Sequence, residues 1–247
     1  MTRTEDPDIL IHPRRERKEK SIPRTGILLV NPSEARSAHS IYKKANGESR
    51  FLFNSNLSVA EDGSCFVAGP SIGAPMAVMT MEKLIALGAS RIILFGWCGA
   101  VSKVLGVGDI VIPDSALSGE GTSCYYGVKS KIEPSQELNQ KLESLFLERD
   151  VGFKSGCVWS TDAIYREERR LLKKLASEKN VSAVDMEFSA LCSVAKFREI
   201  QFSAVFMVSD ELWGETWKSG FSSANFKKKC RSVANMLFDH VRKINIL

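Results

Sequence analysis

Apolar side chains come in short bursts through this chain, and their spacing switches between the two periods that separate strands from helices. Residues 27–30 are continuously apolar until Asn31, Pro32 and Ser33 interrupt them, as in a buried strand running into a turn. A helix is expected over 36–44, and strand-like content appears at 51–53 and 64–68. The stretch 69–73, Gly-Pro-Ser-Ile-Gly, reads as a turn. Ala77, Val78, Met81, Leu84 and Ile85 then recur at helical spacing within 77–87, and Gly88 supplies a stop. Residues 91–95 form an apolar strand of the kind covered on both faces of a parallel sheet, and a glycine-bearing stretch, 96–100, follows directly. Strand, helix and strand between 64 and 95 make a βαβ unit. Beyond it the spacing predicts a strand at 107–112 and helices at 137–149, at 167–179 and, more buried, at 185–197. A late strand at 202–208 is stopped by Ser209 and Asp210, and a last helix occupies 223–243. The class is α/β with a mostly parallel sheet.

Residues 1–24 are polar and basic, carry Pro7, Pro13 and Pro23, and read as an extended arm. Residues 25–247 show no linker-like shift in composition and no repeat, so one domain is expected there; a chain of 247 residues, 44% hydrophobic, suffices for a large core. No run of about 18 apolar residues is present, so no membrane partner is expected. The charged start (Arg3, Glu5, Asp6, Asp8) lacks a signal-peptide core, which points to the cytoplasm. The net charge of +5 is spread out, and the densest basic runs, 14–20 and 227–231, read as solvated faces rather than a nucleic-acid patch. Mild positive charge also suits an anionic substrate such as phosphate. The cysteines (65, 98, 124, 157, 192 and 230) form no CxxC pair and sit mostly in apolar runs, so buried free thiols are expected rather than disulfides or a zinc site.

Sites in sheets of this kind lie beyond the carboxyl ends of strands. Three such ends carry chemistry: 31–36 with Glu34 and Arg36, then 96–99, then 209–211. Asp210 follows an apolar strand, where a partly desolvated carboxyl could donate a proton to a leaving group, or could cap the next segment. Glu187 lies among Val184, Met186, Phe188, Ala190 and Leu191 and must find donors there, sugar hydroxyls among them. It could equally be a helix-start charge. The glycines of 69–73 and 96–99 could let backbone approach an anion, although turns explain both. No Walker pattern, clean GxGxxG, HExxH or nucleophile elbow is present, and with only His12, His39 and His240 no catalytic triad is expected.

Five blocks, in order, resemble the nucleoside phosphorylase and nucleosidase family: GASRIILFGWCGAV with GVGDIVIP, EGTSCYY, STDAIYREE, VDMEFSAL and VSDE. The resemblance covers roughly Thr25 to the C-terminal helix. It implies a three-layer α/β sandwich around a mixed, partly barrel-like sheet. It also implies cleavage of N-glycosidic bonds through a cation-like ribose, attacked by phosphate in phosphorylases and by water in nucleosidases. By position, Met186 and Glu187 resemble the ribose-holding pair and Asp210 the aspartate facing a purine base. Ile164 and Tyr165, with Val184 nearby, resemble the wall beside the base. Arg36 matches the phosphate-binding turn arginine, Arg50 an arginine lent by a neighbouring subunit, and His12 a neighbour's ribose-touching histidine. A homo-oligomer, dimer or hexamer, follows from that resemblance; no metal or organic cofactor does.

The departures from the family lie at the phosphate end. Pro32 stands in place of a glycine, Leu94 in place of an arginine, and Trp97 in place of a serine or threonine. An arginine's paired contact to phosphate is not replaced by leucine. The phosphate seat is then left to Arg36, Arg50 and the positions of Gly73 and Trp97. Glu34 aligns near the glutamate with which nucleosidases activate water. Glu168 and Arg170 fall where uridine-specific members carry Gln-x-Arg, and Arg170 could face a pyrimidine carbonyl or belong to a charged surface helix. The reading is phosphorolysis of a purine or uridine-type ribonucleoside to base and ribose 1-phosphate. Hydrolysis through Glu34, and nucleoside binding without catalysis, are the alternatives.

Overall fold

The computed structural model describes residues 8–52, 55–128 and 131–244. Residues 1–7 of the arm, position 53 of the 51–53 run and the last three residues of the 25–247 region lie outside the described residues. Strand β1 (Thr25–Leu29) leads into α1 (Pro32–Lys44), which begins earlier than expected. A proline is suited to a helical first turn, because that position has no intrahelical use for an N–H. Strands β2 (Glu48–Leu52), β3 (Ser55–Val59) and β4 (Phe66–Gly69) precede α2 (Ala74–Leu87), closed by Gly88 at φ 118°. Strands β5 (Arg91–Ala100), β6 (Ile110–Val111), β7 (Ser115–Gly119) and β8 (Lys131–Ile132) come before α3 (Gln136–Glu148). Strand β9 (Cys157–Thr161), α4 (Arg169–Lys179), β10 (Val181–Asp185), α5 (Phe188–Arg198), β11 (Gln201–Glu211), β12 (Lys218–Ser219) and α6 (Ala224–Ile244) complete the order.

One mixed sheet runs β2-β3-β4-β1-β5-β10-β9-β7-β8, with β11 joined to β5, β6 and β12. The pivot is β5. Along 91–95 it pairs parallel with β1 on one edge and with β11 on the other. At Gly99 and Ala100 the first edge has passed from β1 to β10, which pairs antiparallel. Strands β1 and β10 therefore diverge from a common neighbour, and the sheet opens into a crevice beyond the end of β1. Alternation along β1 and β5 divides the core into two layers. Leu28, Ile92 and Leu94 pack with the apolar faces of α2 and α5. Ile27, Leu29, Ile93 and Phe95 pack with α1, α3 and α6. The result is the α/β sandwich around a mixed sheet that the resemblance implied.

Several elements differ from the periodicity reading. The stretch 96–100 is not a loop but the second half of β5, and 209–211 continues β11 through a bulge between Val208 and Asp210. Polar and glycine residues are tolerated in those strand ends because both strands pair with each other along their whole length. The expected helix at 185–197 is the end of β10 followed by α5, and the strand at 107–112 shrinks to Ile110–Val111. Strands β3, β7 and β9 were not anticipated, since short apolar runs carry no decisive period. Five of the cysteines are buried free thiols, whereas Cys124 is exposed in a 3-10 turn at Ser123–Tyr126. Among the described residues no helix is long and apolar enough to cross a membrane.

Candidate active site

The crevice contains a cavity of about 520 Å³. Its floor is the second half of β5, where Trp97, Cys98 and Gly99 face it. Gly99 is required there: a Cβ would strike Leu212 and lie 3.2 Å from Val184 Cγ1 and 3.3 Å from Asp210 Oδ2. Val30 and Asn31, at the end of β1, close one side, and Val184, Asp185, Met186 and Glu187 bring in the end of β10. The opposite side consists of Ser209, Asp210 and Leu212 with the aromatic side chains of Trp217 and Phe221. Ile164, Tyr165 and Glu167 reach in from the turn before α4.

Glu187 is 4% exposed, and its Oε1 accepts the Gly73 N–H at 2.5 Å. Gly73 turns into α2 with φ 84°, a conformation glycine adopts without strain. Burial, and then the charge of Asp185, push the Glu187 carboxyl above the usual range. Asp185 holds the backbone that carries Glu187. Its Oδ2 accepts the N–H groups of Glu187 and Phe188 at 3.0 and 2.7 Å, and its Oδ1 accepts Ser160 Oγ at 2.5 Å. Burial is also what raises the Asp185 carboxyl. Both acids remain in a nearly dry corner because short backbone and hydroxyl contacts orient them.

On the other wall, Asp210 Oδ1 accepts Ser209 Oγ at 2.6 Å and Oδ2 accepts Trp217 Nε1 at 2.7 Å. Trp97 stacks on Phe221 with ring centres 6.1 Å apart and planes 15° apart, and Phe221 lies 6.1 Å from the Trp217 ring. The wall from position 97 to Asp210 is therefore continuous aromatic surface. Glu167 is half-buried on the cavity, and burial followed by the Asp210 charge raises its carboxyl to about 7.

The structure brings together Met186, Glu187, Asp210, Trp97, Val184, Ile164 and Tyr165 around one cavity, and Gly73 bonds directly to Glu187. Tyr165, 94% exposed, lines the rim rather than packing within this chain. The other expected positions lie elsewhere. Arg36 is exposed on α1, and Arg170 is exposed in the first turn of α4. The Arg50 guanidinium bonds Glu48 and the carbonyl oxygen of Lys20, at 2.9 and 2.7 Å. His12 lines a separate cavity of about 870 Å³ with Glu82 and Arg198. Glu34, in the first turn of α1, is half-buried with its carboxyl raised by burial, takes a hydrogen bond from Ser33 Oγ at 2.6 Å, and does not line the cavity. Sequence reasoning missed Glu167, hidden in the charged run Arg-Glu-Glu-Arg-Arg, and Trp217 and Phe221. The clue to those rings was aromatic residues in the polar loop after β11.

A cavity that opens where a sheet edge changes partner lies where α/β folds commonly place their ligand sites. Residues 24–244 match the model of the Phosphorylase superfamily, and the chain belongs to that family. It is 32% identical over 149 residues to a DeoD-type purine nucleoside phosphorylase of Brevibacillus brevis, covering 59% of this chain and 63% of that protein. It is 25% identical over 166 residues to a guanosine phosphorylase of Halorubrum lacusprofundi, covering 67% of this chain and 68% of that protein. The chain thus spans about two-thirds of the length of these curated relatives. Among solved structures, the fold is similar to purine nucleoside phosphorylase of Toxoplasma gondii in complex with immucillin-H, with a TM-score of 0.77 at 19% identity over 91% of this chain and 92% of that one. It is also similar to a Helicobacter pylori 5'-methylthioadenosine/S-adenosyl homocysteine nucleosidase, with a TM-score of 0.75 at 21% identity over 91% and 100%.

Proposed function

We propose that this chain cleaves the N-glycosidic bond of a ribonucleoside, with Glu187 and Met186 on the ribose and Asp210 on the base. The observation that carries the reading is that two acids far apart in sequence, Glu187 and Asp210, face one crevice from different strand ends. A carboxylate accepting ribose hydroxyls orients the sugar, and negative charge beneath it favours the cation-like ribose of the transition state. Ile164, Tyr165 and Val184 supply apolar surface beside the base.

For the nucleophile, the lining favours water. Its ionisable acids among the described residues are four carboxyl groups (Glu167, Asp185, Glu187 and Asp210), with no lysine or arginine, and Trp97 presents a ring at the expected anion position. A phosphate dianion entering beside those acids finds no guanidinium or ammonium group to pair it. Glu34, the water-activating residue of that reading, sits one helical turn past the lining residue Asn31 rather than in the lining itself. Phosphorolysis is the second reading, favoured by the phosphorylases among the relatives; it places Arg50 of a second copy, with His12, at the site of a homo-oligomer. Incubation with adenosine, inosine and uridine, with and without phosphate, tests both. Free ribose in either buffer supports hydrolysis, phosphate-dependent ribose 1-phosphate supports phosphorolysis, and ligand-dependent thermal stabilisation without product supports a binding protein.

A further inference from the structure

We propose that Glu167 is the proton donor to the departing base, acting beside an Asp210 whose two carboxylate oxygens are already hydrogen-bonded. The inference rests on the glycosidic cleavage proposed above and assigns the acid within it. Between Asp162 and Leu171 each residue is exposed except Glu167, which turns back onto the cavity wall that also holds Asp210. Asp210 accepts Ser209 Oγ on one oxygen and the Trp217 indole N–H on the other. Those two donors hold Asp210 in the acceptor role, and a neighbouring carboxyl that donates to nothing in the protein is the better placed source of the proton. Glu167 has no hydrogen bond or salt bridge to its carboxyl among the described residues, which leaves its proton free for a ligand.

The charged groups facing Glu167 in the cavity are Asp210 at the end of β11 and Asp185 and Glu187 at the end of β10, all acidic. Its own segment contributes Arg166 and Glu168, both largely solvent-exposed and paired with each other at 3.4 Å, and Arg169, paired with Glu215. Like charge across the cavity keeps a proton on one member of the group. In the step itself the Glu167 O–H bond breaks as a ring nitrogen of the base takes the proton. The electron pair of the C1′–N bond moves into the base, which leaves neutral, and water adds to C1′. The proton that water loses restores the acid. Asp210 remains the acceptor that faces a hydrogen-bond donor on the base.

The test compares wild type, Glu167→Gln and Glu167→Asp on adenosine and on 4-nitrophenyl β-ribofuranoside, whose leaving group departs without a proton. For Glu167→Gln the expected result is about a 100-fold loss of kcat on adenosine with the nitrophenyl substrate within about threefold of wild type. Glu167→Asp restores part of the adenosine rate. The wild-type rate on adenosine falls as pH rises through about 7, and Glu167→Gln lacks that limb. Equal losses on both substrates assign Glu167 a structural role and overturn the proposal, as does unchanged adenosine turnover. Failure of the underlying function reads differently: the wild-type protein then leaves both ribosides intact, and the assignment of an acid falls with it.

Discussion

Replacing Glu187 by glutamine separates what the site needs from what the fold prefers. Glutamine keeps the shape and a carbonyl oxygen for the Gly73 N–H, which Glu187 now accepts at 2.5 Å. It removes a negative charge from a side chain that is 4% exposed and faces the charge of Asp185. The folded protein holds the Glu187 proton more tightly than the unfolded chain does. The carboxyl therefore contributes stability that is fully present below the ordinary glutamate range and lost as pH rises through its raised folded value. Glutamine does not titrate, so the variant keeps this stability at high pH. Each unit of upward shift corresponds to ~1.4 kcal/mol. At ~2–4 °C per kcal/mol for a chain of this size, one unit alone raises Tm by roughly 3–6 °C at pH 8.5. At pH ~3, below the ordinary glutamate range, Glu187 is protonated in both states and the difference vanishes. Activity moves the other way. In the proposed role, where the cation-like ribose draws Glu187 into its ionised form, loss of that acceptor for the ribose hydroxyls costs ~1.5–3 kcal/mol, or roughly a 10- to 150-fold fall in kcat/KM. Calorimetric melts at both pH values and initial rates at pH 7.5 provide the assay. A variant less stable than wild type at pH 8.5, or a stability difference independent of pH, refutes the reasoning.

Three further outcomes follow from the same geometry. Gly99→Ala drives a methyl into Leu212 and to within 3.3 Å of Asp210 Oδ2, so turnover should fall sharply for ~1–3 kcal/mol of stability, read by parallel kinetics and urea unfolding. Asp185→Ala leaves the N–H groups of Glu187 and Phe188 without their acceptor; urea unfolding should show a loss of ~2–4 kcal/mol, with activity lost as well because Glu187 is no longer held. Arg198→Met removes the cation that bonds the buried Glu82 carboxylate at 2.8 Å and leaves it the Tyr126 hydroxyl at 3.1 Å; a loss of ~2–4 kcal/mol is expected by thermal melt and denaturant titration.

How the site could be found from the chain alone varied with the physical origin of each part. Helices α2, α3 and α6 announce themselves because an amphipathic face repeats locally, and Gly88 marks its own stop. Asp210 and Glu187 stood out because a carboxyl against a long apolar run is a local anomaly. Glu167 did not, because a glutamate among Arg-Glu-Glu-Arg-Arg resembles any solvated helix face until the turn before α4 aims it inward. Trp97 was read against the family's phosphate seat, whereas its stacking on Phe221 depends on a loop more than a hundred residues downstream.

Residue order alone determined the α/β class, the main helices, several of the apolar strands and two of the cavity acids, Glu187 and Asp210, since each rests on periodicity or on contrast within a few neighbours. Folding in three dimensions decided that β5 would exchange β1 for β10 along one edge, and with it where the crevice opens and which acids share it. Strand pairing is a long-range hydrogen-bonding choice made by the whole sheet. Partners distant in sequence meet through that choice, and no local spacing encodes their meeting.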